Sequence, residues 1–257
     1  MLKNFVKATL NFWWRLNLRL SALSCKIAKI RYGLDKPLHP KHLLDDPERF
    51  WFLKWVEKNS TVLDVGCGNG RNALAVAKRG ARVLAFDVAL DNIFTSDSVW
   101  FFRADANRTL PVRSGAFDVV LALDVIEHLD EREIFYNEVS RALKPAGAFV
   151  LSVPNRDTRW KNLRRRFGAV DTDDPQHKIE YTKGGIESEL KRLGFEPIFF
   201  DTTVYDTPLS GFIDIVGALS LSLYRRFFAW KRRVREKGAT GFRIAAKKKI
   251  SPLEKGD

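Results

Sequence analysis

Three alternating glycines, in the stretch VLDVGCGNGRN at residues 62–72, set the strongest constraint on how this chain can fold. Gly66, Gly68 and Gly70 follow an apolar run that is typical of a buried β-strand, and a helical pattern begins directly after them. Glycine tolerates positive φ and lets a backbone approach a ligand closely. The stretch therefore predicts a strand, a ligand-binding turn, and a helix whose N-terminus faces the ligand.

The same order of elements continues through the middle of the chain. Helical patterns at 70–79 and 131–143 fall between apolar runs that are rich in β-branched and aromatic residues. Strands of this length alternating with helices predict an α/β fold with a parallel sheet and right-handed crossovers. The predicted strands are 61–66, 82–87, 98–103, 117–123, 147–153, 196–204 and 241–248, and a further helix is predicted near 183–193.

The net charge of the chain is concentrated at its two ends. The 257 residues carry a formal net charge of +13. Residues 1–34 contain seven Lys and Arg and no acid, and residues 207–257 contain twelve Lys and Arg against four acids. The segment between them is close to neutral. This distribution predicts a near-neutral globular domain with two basic additions.

Both basic segments carry an apolar stripe at helical spacing. Aromatic, basic amphipathic helices are typical of a membrane interface, but packing on the rest of the chain with solvated charges explains the same pattern. Charged residues interrupt both segments, so neither is predicted to span a bilayer. The stripe in 3–31 comprises Phe5, Phe12, Leu16, Leu20, Leu23, Ile27 and Ile30, and the stripe in 208–237 comprises Phe212, Val216, Leu219, Leu223, Phe227, Trp230 and Val234.

These patterns divide the chain into three parts. We expect a basic amphipathic extension at 1–34, an α/β domain at 35–250 with a basic amphipathic helix inserted at 207–238, and a tail at 251–257. The two cysteines of the chain have no spacing typical of a disulfide or a metal site. The segment 1–34 lacks the uninterrupted apolar core of a secretory signal. A reducing, cytoplasmic compartment is therefore predicted, with the protein peripheral on the cytoplasmic membrane face.

Acidic residues follow the ends of the predicted strands, where a parallel sheet gathers its ligand-binding groups. Asp87 ends the second strand, Asp105 follows the third, and Asp124, Glu127 and His128 follow the fourth. A carboxylate at the end of the second strand can accept hydrogen bonds from both hydroxyls of a ribose. The third glycine of the turn comes one residue early for the dinucleotide pattern, and a phosphate-loop ending is absent. The ligand therefore need not be a phosphate.

A series of motifs follows in order along about residues 40–206. They are the glycine turn with Asp64, then Asp87, Asp105, Leu110-Pro111, Phe117-Asp118, Asp124-Val-Ile-Glu127-His128 and RALKPAGAFVLSVPN. In these motifs the chain resembles the class I S-adenosylmethionine-dependent methyltransferases. The resemblance implies a Rossmann-like, seven-stranded, mostly parallel sheet with helices on both faces, in which 241–248 is an antiparallel strand near the edge. It also implies S-adenosyl-L-methionine as cofactor and methyl transfer as the reaction.

The resemblance also implies which residues contact the cofactor. Asp64 and Gly66 would contact its methionine part, and Asp87 would hold the ribose. Asp105 and the backbone of Ala106 would hold the adenine. Leu123 and Asp124 would line the pocket beside the methionine part. The full expected set is Asp64, Gly66, Cys67, Gly68, Asn69, Gly70, Asp87, Val88, Asp105, Ala106, Leu123 and Asp124.

Glu127, His128 and His177 are the expected catalytic residues. Ubiquinone-type O-methyltransferases and small-RNA 3′-terminal 2′-O-methyltransferases carry the motif Glu-x-x-Glu-His in this region, and they use it with a divalent metal. Glu127 and His128 match the last two residues of that motif, whereas Asp124 stands in place of the first glutamate. That side chain is one methylene shorter, and the motif also occurs in related proteins without metal. Metal binding is therefore left open, beside a role for His128 as a general base.

The predicted loop after the fifth strand is strongly basic. In this fold such a loop borders the acceptor pocket, and arginine binds phosphate and carboxylate groups with two parallel hydrogen bonds. An anionic acceptor or lipid surface would suit these cations, and a solvated charged helix is the alternative. The six cations are Arg156, Arg159, Lys161, Arg164, Arg165 and Arg166.

Three functions are compatible with the sequence. The favoured one is methylation of an oxygen of an amphiphilic or lipid-linked acceptor at an anionic membrane surface. Methylation of RNA or of a soluble anionic small molecule explains the net positive charge. It does not explain the two apolar stripes, of which the second contains Trp230 and the first is flanked by Trp13 and Trp14. A non-catalytic cofactor-binding scaffold is disfavoured because the glycine turn and Asp87 are intact.

We expect Asp87→Ala to weaken cofactor binding by about 100-fold or more, because two charge-assisted hydrogen bonds to the ribose would be lost. The fold should remain intact. Calorimetric titration with S-adenosylmethionine measures the affinity, and circular dichroism checks the fold. Undiminished affinity in this variant would contradict the ribose assignment.

Overall fold

The structure is a computed structural model that describes residues 1–44, 46–90 and 96–249. The predicted tail at 251–257 and the last residue of the predicted domain lie outside this part of the chain. The chain forms two compact units. The helical unit comprises Met1–Asp46, Asn155–Pro175 and Thr202–Gly241, and the sheet unit comprises Pro47–Pro154, Gln176–Asp201 and Phe242–Asp257.

Seven strands form one sheet. They are β1 (Thr61–Val65), β2 (Arg82–Asp87), β3 (Val99–Arg103), β4 (Phe117–Leu123), β5 (Leu143–Pro154), β6 (Phe195–Thr202) and β7 (Gly241–Lys248). Their order is β3-β2-β1-β4-β5-β7-β6. The pairs β1–β2, β1–β4, β2–β3 and β4–β5 are parallel. The predicted seven-stranded, mostly parallel sheet is confirmed.

The last strand lies one place from the edge, between β5 and β6. Just beyond β6, Thr203 N donates a hydrogen bond to Gly241 O at 3.0 Å, and Thr240 N donates one to Val204 O at 2.8 Å. The partner numbers fall along one segment as they rise along the other, which is the pattern of an antiparallel pair. This agrees with the antiparallel strand expected at 241–248.

The helices are unequal in length. They are α1 (Leu2–Arg31), α2 (Arg71–Ala77), α3 (Arg132–Ala142), α4 (Arg159–Arg166), α5 (Lys183–Arg192), α6 (Ser210–Leu219) and α7 (Leu221–Arg233). Short 3₁₀ segments at Pro40–His42, Pro47–Trp55, Ile126–His128 and Arg235–Lys237 complete the assigned helical elements. Within the described residues, every helix is too short or too polar to cross a membrane.

Alternation of side chains along the strands builds two apolar layers in the sheet unit. Leu63 and Val65 of β1 belong to a cluster that includes α3 and α5 residues such as Tyr136 and Ile186. Val62 belongs to the second cluster, which includes residues of α2 and of the segment Pro47–Trp55. Helical segments therefore cover both faces of the sheet, as predicted, and the ends of the strands are left for the site.

In the helical unit, α1 packs closely against α6. A Cβ atom on Gly211 would lie 2.6 Å from the backbone oxygen of Asn17, so only glycine permits this approach. Asn17 Oδ1 accepts a hydrogen bond from Gly211 N at 2.8 Å, and the rings of Trp13 and Phe212 stack at 5.8 Å. The packed face of α1 contains the buried residues Leu10, Ser24 and Ala28.

The prediction of one inserted helix at 207–238 is wrong, because the structure has two. Ser220 between them is extended (φ −147°, ψ 106°), and its side chain accepts a hydrogen bond from Leu223 N as the N-cap of α7. A Cβ atom on Gly217 would lie 2.6 Å from the ring of Tyr224. The absence of a side chain at Gly217 therefore lets this ring pack against α6.

The basic segment after β5 is also not a loop, because it contains α4. Two of its cations, Lys161 and Arg164, are buried and cannot serve as exposed anion-binding groups. Lys161 Nζ lies 2.7 Å from Asp173 Oδ2 and donates a hydrogen bond to Asn155 O at 2.8 Å. Arg165 Nε forms a 2.7 Å ion pair with Asp171. The other three cations, Arg156, Arg159 and Arg166, are exposed.

Candidate functional site

The turn after β1 has the geometry that its glycines predict. Gly66, Gly68 and Gly70 have φ angles of +64°, +53° and +80°, all in the left-handed region that other residues rarely adopt. Gly66 is also sterically required, because a Cβ atom there would lie 2.6 Å from Val125 Cγ2. No atom of the described residues lies within 4 Å of a Cβ built on Gly68. The neighbouring Asn69 side chain accepts a hydrogen bond from Arg71 N, at the start of α2.

The turn is fixed to the end of β2. Cys67 N donates a hydrogen bond to Phe86 O at 3.0 Å, and Gly68 N donates one to Asp87 Oδ2 at 2.9 Å. Asp87 Oδ1 accepts a second hydrogen bond from Ala89 N at 3.1 Å. These bonds hold the Asp87 carboxylate beside the glycine turn, and Val88 next to it is exposed.

Burial raises the pKa of two groups beneath the turn. Burial, with smaller contributions from Asp64 and Asp87, raises the pKa of the Cys67 thiol to about 12, so this cysteine is an unreactive packing residue. Burial also raises the pKa of Asp64 to about 7, although a hydrogen bond from Ala73 N acts in the opposite direction. Asp64 Oδ2 is buried without a hydrogen-bond partner among the described residues. A cationic ligand group would complete its environment.

Asp105 lies beyond β3, where the backbone of Ala104 donates a hydrogen bond to Asp87 O at 3.2 Å. Asp105 Oδ1 accepts hydrogen bonds from the backbone and the side chain of Asn107, at 2.9 and 3.0 Å. Asn107 Oδ1 in turn accepts from two backbone amides just before α3, those of Asp130 and Glu131. Asp105 therefore orients an asparagine that fixes the start of α3, and the following Ala106 is buried.

Asp124 leaves β4 in a strained backbone conformation, with φ +59°. Two hydrogen bonds with Ser152 of β5 hold it there. Asp124 N donates to Ser152 O at 3.1 Å, and Ser152 Oγ donates to Asp124 Oδ1 at 2.7 Å. The preceding Leu123 is half-buried. Strain of this kind is concentrated at functional sites.

Glu127, His128 and His177, which we call the acid–imidazole cluster, come together although about 50 residues separate them in sequence. One potential ligand atom from each lies within 4.8 Å of the others. The two imidazole rings pack edge to face with centroids 4.9 Å apart. Glu127 O accepts hydrogen bonds from Lys178 N at 2.7 Å and from Ile179 N at 3.4 Å. These bonds fix the segment that contains His177 against the segment that contains Glu127 and His128.

This cluster offers a carboxylate and two imidazoles. Imidazole can take up a proton near neutral pH, and the same donor set suits a divalent transition-metal ion. Asp124 is not a member of the cluster, because its carboxylate faces Ser152. The sequence left open a metal site formed by Asp124 together with the three cluster residues. In the described part of the chain, only the three cluster residues come close enough to share an ion.

Sequence reasoning did not identify three residues that orient the site. They are Asn107, Ser152 and Glu180, the last of which lies 2.9 Å from His177 Nδ1. Of these three residues, only Glu180 could have been inferred from the sequence, because it stands three residues after His177. The other two act through tertiary contacts that no local pattern indicates.

Comparisons with known proteins agree with this architecture. The sequence profile of a family described as "Methyltransferase domain" matches residues 63–151. A protein of Idiomarina loihiensis named ubiquinone biosynthesis O-methyltransferase is 34% identical over 205 residues, which are 70% of this chain and 79% of the relative. A protein of Azorhizobium caulinodans with the same name is 27% identical over 214 residues, 77% of this chain and 81% of the relative.

Solved structures share the fold at low sequence identity. The 4+2 cyclase SpnF superposes with a TM-score of 0.58 at 20% identity, covering 79% of this chain and 81% of the cyclase chain. At this identity the likeness shows the fold alone.

The glycine turn gives a direct test of the geometry. We expect Gly66→Ala to destabilise the protein by about 1–3 kcal/mol more than Gly68→Ala, because both variants incur left-handed strain but only the first adds a steric clash. Urea unfolding measures both free energies of unfolding. Val125→Ala should recover part of the Gly66→Ala loss, since Val125 is the clashing side chain. Equal losses in the two single variants would contradict the steric role assigned to Gly66.

Proposed function

Because the chain belongs to the class I S-adenosylmethionine-dependent methyltransferases, we propose that it methylates an oxygen of an amphiphilic or lipid-linked acceptor at a membrane surface. The acid–imidazole cluster is the observation that carries the oxygen assignment, because an oxygen acceptor must lose a proton or have its charge stabilised. Two relatives are named ubiquinone biosynthesis O-methyltransferases, and ubiquinone is itself an amphiphile.

The residues around the glycine turn fit the cofactor. S-adenosylmethionine supplies a methyl group on a sulfonium sulfur, which an acceptor oxygen takes while the electrons of the carbon–sulfur bond return to sulfur. We assign the buried Asp64 carboxylate to the cofactor ammonium, because that oxygen lacks a partner in the described structure. Asp87 would bind the ribose, and Asp105 with Ala106 the adenine. The bare backbone at Gly68, where a built Cβ has open space around it, leaves room for close approach of the cofactor.

Glu127, His128 and His177 would activate the acceptor. In this proposal an imidazole of the cluster takes the proton of the acceptor hydroxyl, and the buried Glu127 stabilises the imidazolium that forms. The same donors could instead hold a divalent cation that lowers the pKa of the hydroxyl directly. Dialysis against a chelator separates the two roles. Activity that survives chelation requires a base, and activity that only Mg²⁺ or Zn²⁺ restores assigns the cluster to metal.

The membrane part of the proposal rests on the surface of the helical unit. Large apolar side chains are exposed on α1, α6 and α7, although α1 packs against α6 through a different face. The contact with α6 therefore does not account for the exposed side chains of α1. The exposed set comprises Leu2, Phe5, Phe12, Leu18, Leu23 and Ile30 on α1, Leu219 on α6, and Leu223 and Phe227 on α7. Phe212 and Trp230 are also exposed in part, and their rings pack on Trp13 and Tyr205.

Basic residues adjoin this apolar strip on α1. Arg15 follows Phe12 by three residues, and Lys26 lies between Leu23 and Ile30, so each is about one helical turn from an apolar neighbour. Both cations are exposed. An exposed apolar strip with a basic border is the pattern of a helix that lies in the interface of an anionic bilayer. The burial of Lys161 and Arg164 weakens the alternative of a soluble anionic acceptor or RNA bound by the α4 segment.

The role of Asp64 predicts a pH-dependent cofactor affinity. With a pKa of about 7 in the free protein, Asp64 is increasingly protonated as the pH falls below 7 and can no longer pair with the cofactor ammonium. We expect the dissociation constant for S-adenosylmethionine to rise about tenfold per pH unit between pH 6.5 and 5.5. Asp64→Asn should bind more weakly and with a flat profile over this range, as measured by calorimetry. An unchanged pH profile in the variant would refute the assignment.

The function is tested with labelled S-adenosylmethionine and a geranyl-substituted catechol in anionic phospholipid vesicles. We expect methylated catechol as product, and we expect His128→Ala to lower kcat by about 100-fold with unchanged cofactor affinity. The triple variant Phe12→Ser, Leu23→Ser, Ile30→Ser should lose at least about tenfold in vesicle affinity, because three exposed apolar groups no longer enter the interface.

The matched control replaces two exposed apolar residues of the sheet unit, Ile134→Ser and Ile198→Ser, and should pellet with vesicles as the parent does. High salt should weaken vesicle binding of the parent protein, since the basic border contributes. Equal pelleting of the triple variant would remove the membrane surface from the proposal. Methylation of RNA but not of the catechol would favour the alternative acceptor.

A further inference from the structure

We propose that Glu180 is a positioning residue, which holds the His177 ring in the tautomer that carries its proton on Nδ1. The inference rests on the proposed function, since it concerns how the acid–imidazole cluster presents one of its two imidazoles. Glu180 contacts His177, and we assign its role to that contact.

The hydrogen bond itself fixes the proton. Glu180 Oε1 lies 2.9 Å from His177 Nδ1, and both side chains are largely buried. A carboxylate only accepts hydrogen bonds, so Nδ1 must donate and therefore carries hydrogen. In the neutral ring this leaves the lone pair on Nε2. A lone pair at a fixed nitrogen is what either a general base or a metal ligand requires.

The backbone on both sides of Glu180 is anchored. Ile179 N donates a hydrogen bond to Glu127 O at 3.4 Å, and Tyr181 N donates one to Pro154 O at 3.1 Å, at the end of β5. The His177 ring also makes an edge-to-face contact with His128. These backbone contacts within the sheet unit therefore fix the positions from which the Glu180 carboxylate and the His177 imidazole meet.

The spacing of the two residues explains why a single segment can supply both groups. His177 and Glu180 are three residues apart, and the amides of the two residues between them both bond to Glu127 O. The segment thus turns around one carbonyl of the cluster. Carboxylate–histidine pairs of this kind orient the ring and set its tautomer at both metal sites and acid–base sites, and removing the carboxylate typically lowers activity by about 10–100-fold.

The test is ¹⁵N NMR of histidine-labelled protein, recorded at a pH above which the ring signals no longer change with pH. His177→Gln assigns the ring signals. We expect protonated Nδ1 and unprotonated Nε2 at His177 in the parent protein. Glu180→Gln should retain this tautomer, because its amide oxygen still accepts a hydrogen bond, whereas Glu180→Ala should shift the population toward protonated Nε2. Protonated Nε2 in the parent, or an unchanged tautomer in Glu180→Ala, would overturn the proposal.

Kinetics with the geranyl-substituted catechol give the second readout. Glu180→Ala should lower kcat by about 10–100-fold with unchanged affinity for S-adenosylmethionine, and Glu180→Gln should recover most of the loss. Glu196→Ala, an exposed carboxylate of the same unit, is the matched control and should behave as the parent. The tautomer measurement needs no acceptor. The expected tautomers without any methyl transfer would therefore refute the proposed function and leave the positioning role of Glu180 standing.

Discussion

The backbone turn that leaves β1 is the constraint on which the site depends. Three residues in the left-handed region bring the chain from β1 into α2, and hydrogen bonds from Cys67 and Gly68 fix the turn to the end of β2. Because side chains are absent there, the backbone is accessible to a ligand. The carboxylates of Asp64 and Asp87 are positioned by the same strands, so turn and carboxylates form one rigid arrangement.

The carboxylates in this arrangement have different environments and can have different tasks. Asp64 is buried with a raised pKa, which makes it responsive to a cation. Asp87 accepts two backbone hydrogen bonds, and Asp105 orients Asn107. Fold alone does not determine the reaction, as a cyclase with the same architecture illustrates. The chemistry of a site on this fold therefore depends on its own side chains, which here include Glu127, His128 and His177.

Much of the architecture was readable because periodicity reports burial directly. The strand at 117–123 and the strand at 241–248 were predicted with the bounds that the structure has, and the glycine turn was placed correctly. The amphipathic ends were harder. An apolar stripe on α1 shows that a helix has two faces, but the face that packs on α6 is set by Gly211 and Asn17, which carry no hydrophobic signal. The burial of Lys161 against Asp173 was unreadable for the same reason.

The sequence by itself determined the order of strands and helices, the ligand-binding turn and the acids at the strand ends, because each follows from local backbone preference and from side-chain period. Only the tertiary structure decided which distant residues meet. It brought His177 to His128, placed Glu180 on His177, and turned Asp124 toward Ser152. The physical reason is that hydrogen bonds and ring contacts act over a few ångströms in space, whereas sequence patterns record only neighbours along the chain.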